Sequence, residues 1–440
     1  MKRKIESHIE NFIKSSPHKV LIIEGARQVG KSYIIREVGS RIFKNFIEIN
    51  LLDDLNSDRN FETATNTKSF YTQLGIIAGD KLGSKEDTLV FLDEIQAYPH
   101  LLTMLKFLVQ ENRYTYIASG SSLGVTLRKS ISIPIGSIEI ERMYPMDFEE
   151  FLWANGVNTF VIDEMRDCFS KNEPIDEKIH NQILNHLRNY LITGGLPDMI
   201  KNFLTNYNVV QLRKLQRDIN TFYAEDASQY DIQNKLKIMR IYENIPSAMG
   251  NKKKRVVVQD IDGKRGKTMA DYNDEFDYLV FSGITLQVNA ISNPKFPLIE
   301  SVRKSLTKLY LNDVGLLTEK LYYKNTNAIL KDERSINLGA VYETFVAMEL
   351  VAHGNKLFYY DNKQNGEVDY LIDDYNTLSV LPIEVKSGRD YTIHSALNNL
   401  LKNSEYGIKK GLVLSNARSV TTKDNVTYMP IYYVMFLSSE

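Results

Sequence analysis

Gly25-Ala26-Arg27-Gln28-Val29-Gly30-Lys31-Ser32 sets two glycines four residues apart and follows them with a lysine and a serine. That spacing suits a loop that wraps a phosphate. Glycines let successive backbone N–H groups converge on one anion, and a helix starting at the loop adds partial positive charge. Lys31 has the reach to contact the β- and γ-phosphates of a nucleotide, and Ser32 has the hydroxyl to ligate Mg²⁺. The flanks fit. Lys19-Val20-Leu21-Ile22-Ile23 reads as a buried parallel strand, and Tyr33–Val38 is apolar at helical spacing.

A second strand ends in acids. In Thr88-Leu89-Val90-Phe91-Leu92-Asp93-Glu94 an apolar run delivers two carboxylates at the C-terminal end, where parallel sheets place their ligands. Asp93 is the candidate Mg²⁺ partner. Glu94 is the candidate base that orients or deprotonates an attacking water. Tyr116-Ile117-Ala118-Ser119-Gly120-Ser121-Ser122 ends another strand in hydroxyls. If that strand lies between the two motif strands, Ser119 or Ser121 can contact the γ-phosphate or the water. Arg128 and Arg142 are candidates for an arginine finger within an oligomer.

A further set lies near the C-terminus. Glu367-Val368-Asp369-Tyr370-Leu371-Ile372 and Pro382-Ile383-Glu384-Val385-Lys386 suit two strands joined by a hairpin across Asp373–Thr377. Residues two apart share a strand face, so Glu384 and Lys386 project together beside Asp369. Glu343, on a preceding helix, can supply another carboxylate. Acids that hold a metal, with a lysine that positions water, are what phosphodiester hydrolysis uses. Asp369 and Glu384 are the expected metal ligands, and Glu343, Asp369, Glu384 and Lys386 the expected catalytic set.

The elements that must position these groups alternate in the first third of the chain. Candidate strands at Lys19–Ile23, Asn45–Leu51, Thr88–Leu92, Tyr114–Ser119 and Ser137–Glu141 are separated by helical stretches, the pattern of a parallel sheet covered by helices. Leu55–Thr67 is rich in Asn, Asp and Thr and reads as surface loop. Asp147 to about Tyr230 is helical, broken by a turn at Gly194-Gly195-Leu196-Pro197. Further on, helices are expected at Ile241–Met249, Asp274–Ser282 and from Ala328 through Leu350. Strands are expected at Ile284–Ala290, Lys356–Tyr360, Val368–Ile372, Leu381–Lys386 and Gly411–Leu414.

The 440 residues are 43% apolar and 25% charged, ordinary for globular domains, with a formal net charge of −1 that argues against a generally basic nucleic-acid coat. Local basic patches remain: Lys252, Lys253, Lys254, Arg255, Lys264, Arg265 and Lys267 could track a nucleic-acid backbone. Cys168 is the only cysteine, which excludes an internal disulfide and a cysteine-based zinc site and fits a cytoplasmic setting. No apolar run approaches a membrane span.

The combination of Gly25–Ser32, Phe91-Leu92-Asp93-Glu94-Ile95-Gln96 and Ser119–Ser122 resembles the prokaryotic AAA-type ATPases. More narrowly it resembles the branch that carries a C-terminal domain of unknown function, with Tyr144–Phe151 and Gly194–Pro197 similar to its linking motifs. Gly136-Ser137 departs from the Gly-Arg often found there. Asp369, Glu384, Lys386 and Glu343 resemble the PD-(D/E)xK nucleases, with Val368 where proline often stands.

The resemblance implies a multidomain α/β chain. A parallel-sheet P-loop ATPase core would span 1–155, a helical lid 156–230, a winged-helix-like domain 231–325 and a restriction-endonuclease-like domain 326–440. It implies ATP and Mg²⁺ as cofactors, with Gly25, Ala26, Arg27, Gln28, Val29, Gly30, Lys31 and Ser32 binding nucleotide and Ser32 with Asp93 at the metal. Glu94, Lys31, Ser119 and Ser121 would carry catalysis. Candidate partners are DNA or another nucleic acid, a protein, and a second copy in a homo-oligomer, but no membrane. Two functions follow: an ATPase coupled to a nucleic-acid-binding or nuclease-like module, or an ATP-driven switch that binds a protein or DNA without cutting it.

Overall fold

The computed structural model describes every residue except 16–17, 122, 126–134, 227–234, 252–253, 264–265, 334–335, 337, 363–365, 388–390 and 440. Ser122, Arg128, Lys252, Lys253, Lys264 and Arg265 therefore lie outside the described residues. The chain divides into two compact units, residues 1–144 with 281–283, and residues 145–280 with 284–440. Among the described residues no helix is long and apolar enough to cross a membrane.

The first unit is built on five parallel strands: β1 (Val20–Glu24), β2 (Asn45–Asn50), β3 (Thr88–Asp93), β4 (Thr115–Gly120) and β5 (Ile138–Arg142). Their spatial order is β2-β3-β4-β1-β5, so β4 does lie between the two motif strands. Parallel strands covered by helices bury both faces, which is why β3 is buried at all six positions. Ile22, Val90, Leu92, Tyr116 and Ala118 pack into one core with Phe70 and Leu105 from neighbouring helices. Each buried Ile, Leu or Val side chain there contributes about 1.5–3 kcal/mol. The helix Lys31–Ile42 turns Ile34, Ile35 and Val38 inward, the stripe its sequence requires.

The Leu55–Thr67 segment is mostly exposed and irregular, as its composition indicates, but it is anchored at one point. A short helix, Leu51–Asn56, is capped by Asn50, and the Asp54 carboxylate then gathers the chain after it. Asp54 accepts from the backbone N–H of Asn60 (3.0 Å) and Phe61 (3.1 Å) and from Tyr98 Oη (2.8 Å). Phe61 is fully buried as a result.

The second unit opens with helices, among them Phe148–Ala154, Glu177–Thr193, Pro197–Asn206 and Val209–Asp226. The expected turn at Gly194–Pro197 is present, with Gly194 at φ 76 and the Gly195 N–H donating to the buried Asp313 carboxylate at 2.6 Å. An eight-stranded mixed sheet follows: β6 (Thr285–Ile291), β7 (Val302–Leu311), β8 (Phe358–Asn362), β9 (Gly366–Asp374), β10 (Ser379–Lys386), β11 (Gly411–Ser415), β12 (Thr421–Lys423) and β13 (Val426–Pro430). Its order is β12-β13-β11-β10-β9-β8-β6-β7.

Two expectations change here. The β6–β7 hairpin, assigned from sequence to a separate domain ending at 325, pairs through β6 with β8, so one sheet draws strands from both sides of that boundary. The long helix expected from Ala328 through Leu350 is two helices, Thr326–Leu330 and Gly339–Ala352. Asp332 stands between them at φ 51, a left-handed backbone that no α-helix continues through. In the second helix every residue from Ala340 to Leu350 is buried, so its carboxylates Glu343 and Glu349 lie inside the protein.

Candidate functional site

Parallel strands bring β1, β3 and β4 out at one edge of the sheet, and their C-terminal ends carry the loop, the acids and the hydroxyls. The loop leaves β1 through Gly25 at φ 154, where a Cβ would meet the Met143 carbonyl oxygen at 2.2 Å, so only glycine fits. Gln28 (φ 65) and Gly30 (φ 97) are also left-handed, curling the loop onto the start of the Lys31–Ile42 helix. Val29 is fully buried, and its carbonyl accepts from Arg3 Nη1 at 2.8 Å. The loop thus turns tightly through three left-handed residues onto the helix start.

Lys31 is 5% exposed, and its Nζ donates to the carbonyls of Gly25 (3.0 Å) and Ala26 (2.9 Å). Burial lowers its pKa below the ordinary lysine range, although Glu94 and Asp93 pull the other way. Its ammonium is already held over the loop in which a phosphate would sit. The fit to a nucleotide phosphate rests on this buried cation and on the glycine cradle around it.

Asp93 is buried and takes two hydroxyl donors, Ser32 Oγ at 2.8 Å and Ser119 Oγ. Burial raises its pKa against those hydrogen bonds. Glu94 has the non-glycine left-handed backbone (φ 55) that re-aims a side chain at the end of a strand. Its Oε2 accepts from Ser121 Oγ (2.9 Å), from the Ser121 N–H (3.3 Å) and from Gln96 Nε2. Burial alone would push the Glu94 pKa up, but the Lys31 charge and the hydrogen bonds from Gln96 and Ser121 bring it below the usual glutamate value. The structure therefore assembles Lys31, Ser32, Asp93, Glu94, Ser119 and Ser121 at one edge. Arg142 is ion-paired to Glu24 at 3.0 Å.

Gln96 is the residue that the sequence motifs did not single out as functional. It lies two residues past Glu94, is 7% exposed, and also donates to Ser121 Oγ at 3.3 Å. Its own Oε1 has no partner among the described residues. Its place inside the Asp93–Gln96 run was the available signal.

The second constellation lies in the eight-stranded sheet. Asp369 on β9 stands opposite the Glu384 stretch of β10, and its Oδ2 accepts from the Val385 N–H at 2.9 Å. Lys386 Nζ pairs with Glu384 Oε1 at 2.7 Å, as two residues on one strand face should. Glu343 reaches in from the Gly339–Ala352 helix and accepts from Tyr310 Oη at 3.3 Å. The four predicted residues are thus brought together, with one difference. The cation against Glu343 and Asp369 is Lys254, at 3.7 Å from Asp369 Oδ1, and not Lys386. Burial, with the Asp369 charge next, raises Glu343 to a pKa of about 7 and Glu384 to about 8.

Among the described residues no group of three or more His, Cys, Asp or Glu side chains is arranged to hold a metal ion. As the side chains stand, a lysine occupies the gap between two of the acids. The basic run 252–267 also changes meaning. Lys254 pairs with Glu343, Arg255 with Asp361, and Lys267 with Asp271 at 3.0 Å, so its described cations are engaged within the chain.

Residues 17–152 match the family model described as an AAA domain. Residues 184–326 and 338–434 match two further models, each described as a domain of unknown function. An uncharacterized protein of Methanocaldococcus jannaschii is 23% identical over 369 residues, spanning 82% of this chain and 73% of its own length. Among solved structures, the Walker-type ATPase of Pyrococcus abyssi aligns with a TM-score of 0.44 and 12% identity, over 73% of this chain and 95% of its own. AMPPCP-bound DnaA of Aquifex aeolicus aligns with a TM-score of 0.29 and 10% identity, over 56% of this chain and 80% of its own. The first unit carries an AAA-type ATPase domain, and the chain after it carries two domains of families whose function is unknown.

Proposed function

We propose that the first unit binds ATP and hydrolyses it with Mg²⁺. The observation that carries this is the joint placement of a hydrogen-bonded Glu94 and a hydroxyl-bonded Asp93 beside the Gly25–Ser32 loop. The loop N–H groups and the helix N-terminus receive the phosphates, and Lys31 exchanges its carbonyl partners for phosphate oxygens. Ser32 and Asp93 are the groups that would hold Mg²⁺, which when bound neutralises charge on the β- and γ-phosphates. Glu94 accepts a proton from the attacking water. Ser121 and Gln96 hold its carboxylate in position, and its lowered pKa keeps it unprotonated at neutral pH. Lys31→Ala tests the assignment: binding of a fluorescent ATP analogue is expected to vanish, and retained binding with unchanged phosphate release would overturn it.

We further propose that the second unit is a nucleic-acid-handling module on which this ATPase acts. The convergence of Glu343, Asp369, Glu384 and Lys386 at one buried position supports this, because no hydrophobic core needs such a set. Asp369 and Glu384 are the candidate ligands for a divalent metal, and Lys386 the candidate for positioning water. The non-cleaving switch is the second reading, and Lys254 seated between Glu343 and Asp369 favours it, because a lysine stands where a metal would bridge those acids.

A further inference from the structure

Lys254 sits where its own sequence gives it no reason to sit. It belongs to a basic run, yet its ammonium is drawn between two carboxylates that lie far along the chain, Glu343 and Asp369. The side chain is 22% exposed and its partners are 4% and 11% exposed, so this is not a solvated surface pair. Its backbone is left-handed at φ 49, a conformation that a lysine adopts only when its surroundings require it. The turn is closed by the Lys254 N–H donating to the Asn251 carbonyl at 3.1 Å. A local strain thus delivers the ammonium into the acidic cluster.

The cluster leaves one buried acceptor unused. Three carboxylates, Glu343, Asp369 and Glu384, face two ammonium groups, Lys254 and Lys386. Glu384 is 6% exposed, and its Oε2 has no hydrogen-bond partner among the described residues, an acceptor held ready in a buried place. With Lys254 withdrawn, Glu343 and Asp369 would face one another with no cation between them. A buried carboxylate pair without a cation is unfavourable, so a proton or another cation takes the lysine's place.

We propose that Lys254 is a displaceable occupant of the cation position between Glu343 and Asp369, and that a divalent cation binds there only when the Lys254 turn withdraws. The chain thereby carries its own plug for the cluster. The proposal rests on the reading of the cluster as a cation site and does not require that the site cleave anything.

Mn²⁺ binding to the full chain, without nucleotide, tests it by calorimetry. Lys254→Ala is expected to bind Mn²⁺ at least tenfold more tightly than the unaltered chain, and Lys254→Ala with Asp369→Asn is expected to lose that gain. Equal affinity in the unaltered chain and Lys254→Ala overturns the plug, while no Mn²⁺ at the cluster in either overturns the cation site itself. Amine acylation followed by mass spectrometry tests the unaltered chain, independent of how the variants fold. Lys254 is expected to label several-fold more slowly than the exposed Lys68, and to speed up when Mn²⁺ is added. Labelling of Lys254 at the Lys68 rate, or a slow rate that Mn²⁺ leaves unchanged, overturns the proposal. Tight Mn²⁺ binding by Lys254→Ala without cleavage of any nucleic acid leaves the plug standing and removes the nuclease reading.

Discussion

Ser32 Oγ donates to Asp93 Oδ2 at 2.8 Å, tying the last residue of the phosphate loop to the last residue of strand β3. Ser119 Oγ on the neighbouring strand donates to the other oxygen of the same carboxylate. Asp93 is thus oriented from two sides before any ligand arrives. Ser119→Ala is expected to raise the Mg²⁺ concentration for half-maximal ATP hydrolysis by about 10–100-fold, the usual cost of losing a residue that orients a metal-binding group. Phosphate release measured across a Mg²⁺ titration checks it, and an unshifted midpoint would remove Ser119 from the site.

Glu94→Gln keeps the shape of the side chain and removes the base. ATP binding is expected to survive while hydrolysis falls by about 100-fold or more. Nucleotide binding and phosphate release, measured on the same preparation, separate the two.

Gln96 acts on the reaction through Glu94. The Glu94 pKa lies below its ordinary 4.5 partly because Gln96 donates to its carboxylate. A base with a lowered pKa stays unprotonated further into acid, so activity is lost only as the pH falls through that lowered value. Gln96→Ala removes one of the groups that stabilise the anion, and the acid limb of kcat is expected to move to higher pH with KM for ATP nearly constant. An equal loss at every pH would mean that Gln96 only supports the fold.

Asp313 links pH to the stability of the second unit. Its carboxylate accepts from the N–H groups of Gly195 (2.6 Å) and Leu316 (3.0 Å), and burial lifts its pKa from 3.8 to about 6. A folded-state pKa above the unfolded one means that the folded chain holds the proton more tightly. The stability from this group is therefore complete below about pH 4 and is lost as the pH rises through about 6. Asp313→Asn is expected to flatten that slope in thermal unfolding and to destabilise the unit by about 1–3 kcal/mol, because one of the two N–H groups loses its acceptor. An unchanged slope would assign the pH dependence elsewhere.

The full chain incubated with Mn²⁺ and ATP is the direct trial of the second unit against single- and double-stranded DNA and RNA. Any cleavage is expected to fall by about 100-fold or more in Lys386→Ala, the scale for removing one group that stabilises developing charge. Cleavage that survives the substitution would place the reaction elsewhere, and intact substrates throughout would favour the non-cleaving switch.

The first unit was legible because its signals are local. A phosphate loop must follow a strand and start a helix, so Gly25–Ser32 with its flanks specified β1, the loop and the Lys31–Ile42 helix at once. Apolar residues marked all five strands to within a residue or so, as a continuous run in the buried β3 and as alternation in the half-exposed β2 and β5. The Leu55–Thr67 segment is largely the exposed loop that its composition indicates, and what composition could not show is that Asp54 holds Asn60 and Phe61 and buries the Phe61 ring. The break between Leu330 and Gly339 was missed because apolar residues recur on both sides of it, although Ser335, Asn337 and Gly339 are weak helix formers that could have signalled it.

The sequence by itself determined the chemistry on offer: a phosphate cradle, a pair of acids at a strand end, hydroxyls on another strand, and a carboxylate–lysine set further on. These are properties of spacing within single elements. Tertiary structure decided which of them meet. Strand order put β4 between β1 and β3, so that Ser119 reaches Asp93 and Ser121 reaches Glu94. It also put Lys254, and not Lys386, between Glu343 and Asp369. A basic run solvated on a surface and a lysine drawn into a buried acid pair share one local pattern. Only long-range packing, which sets the cost of leaving those acids uncompensated, distinguishes the two.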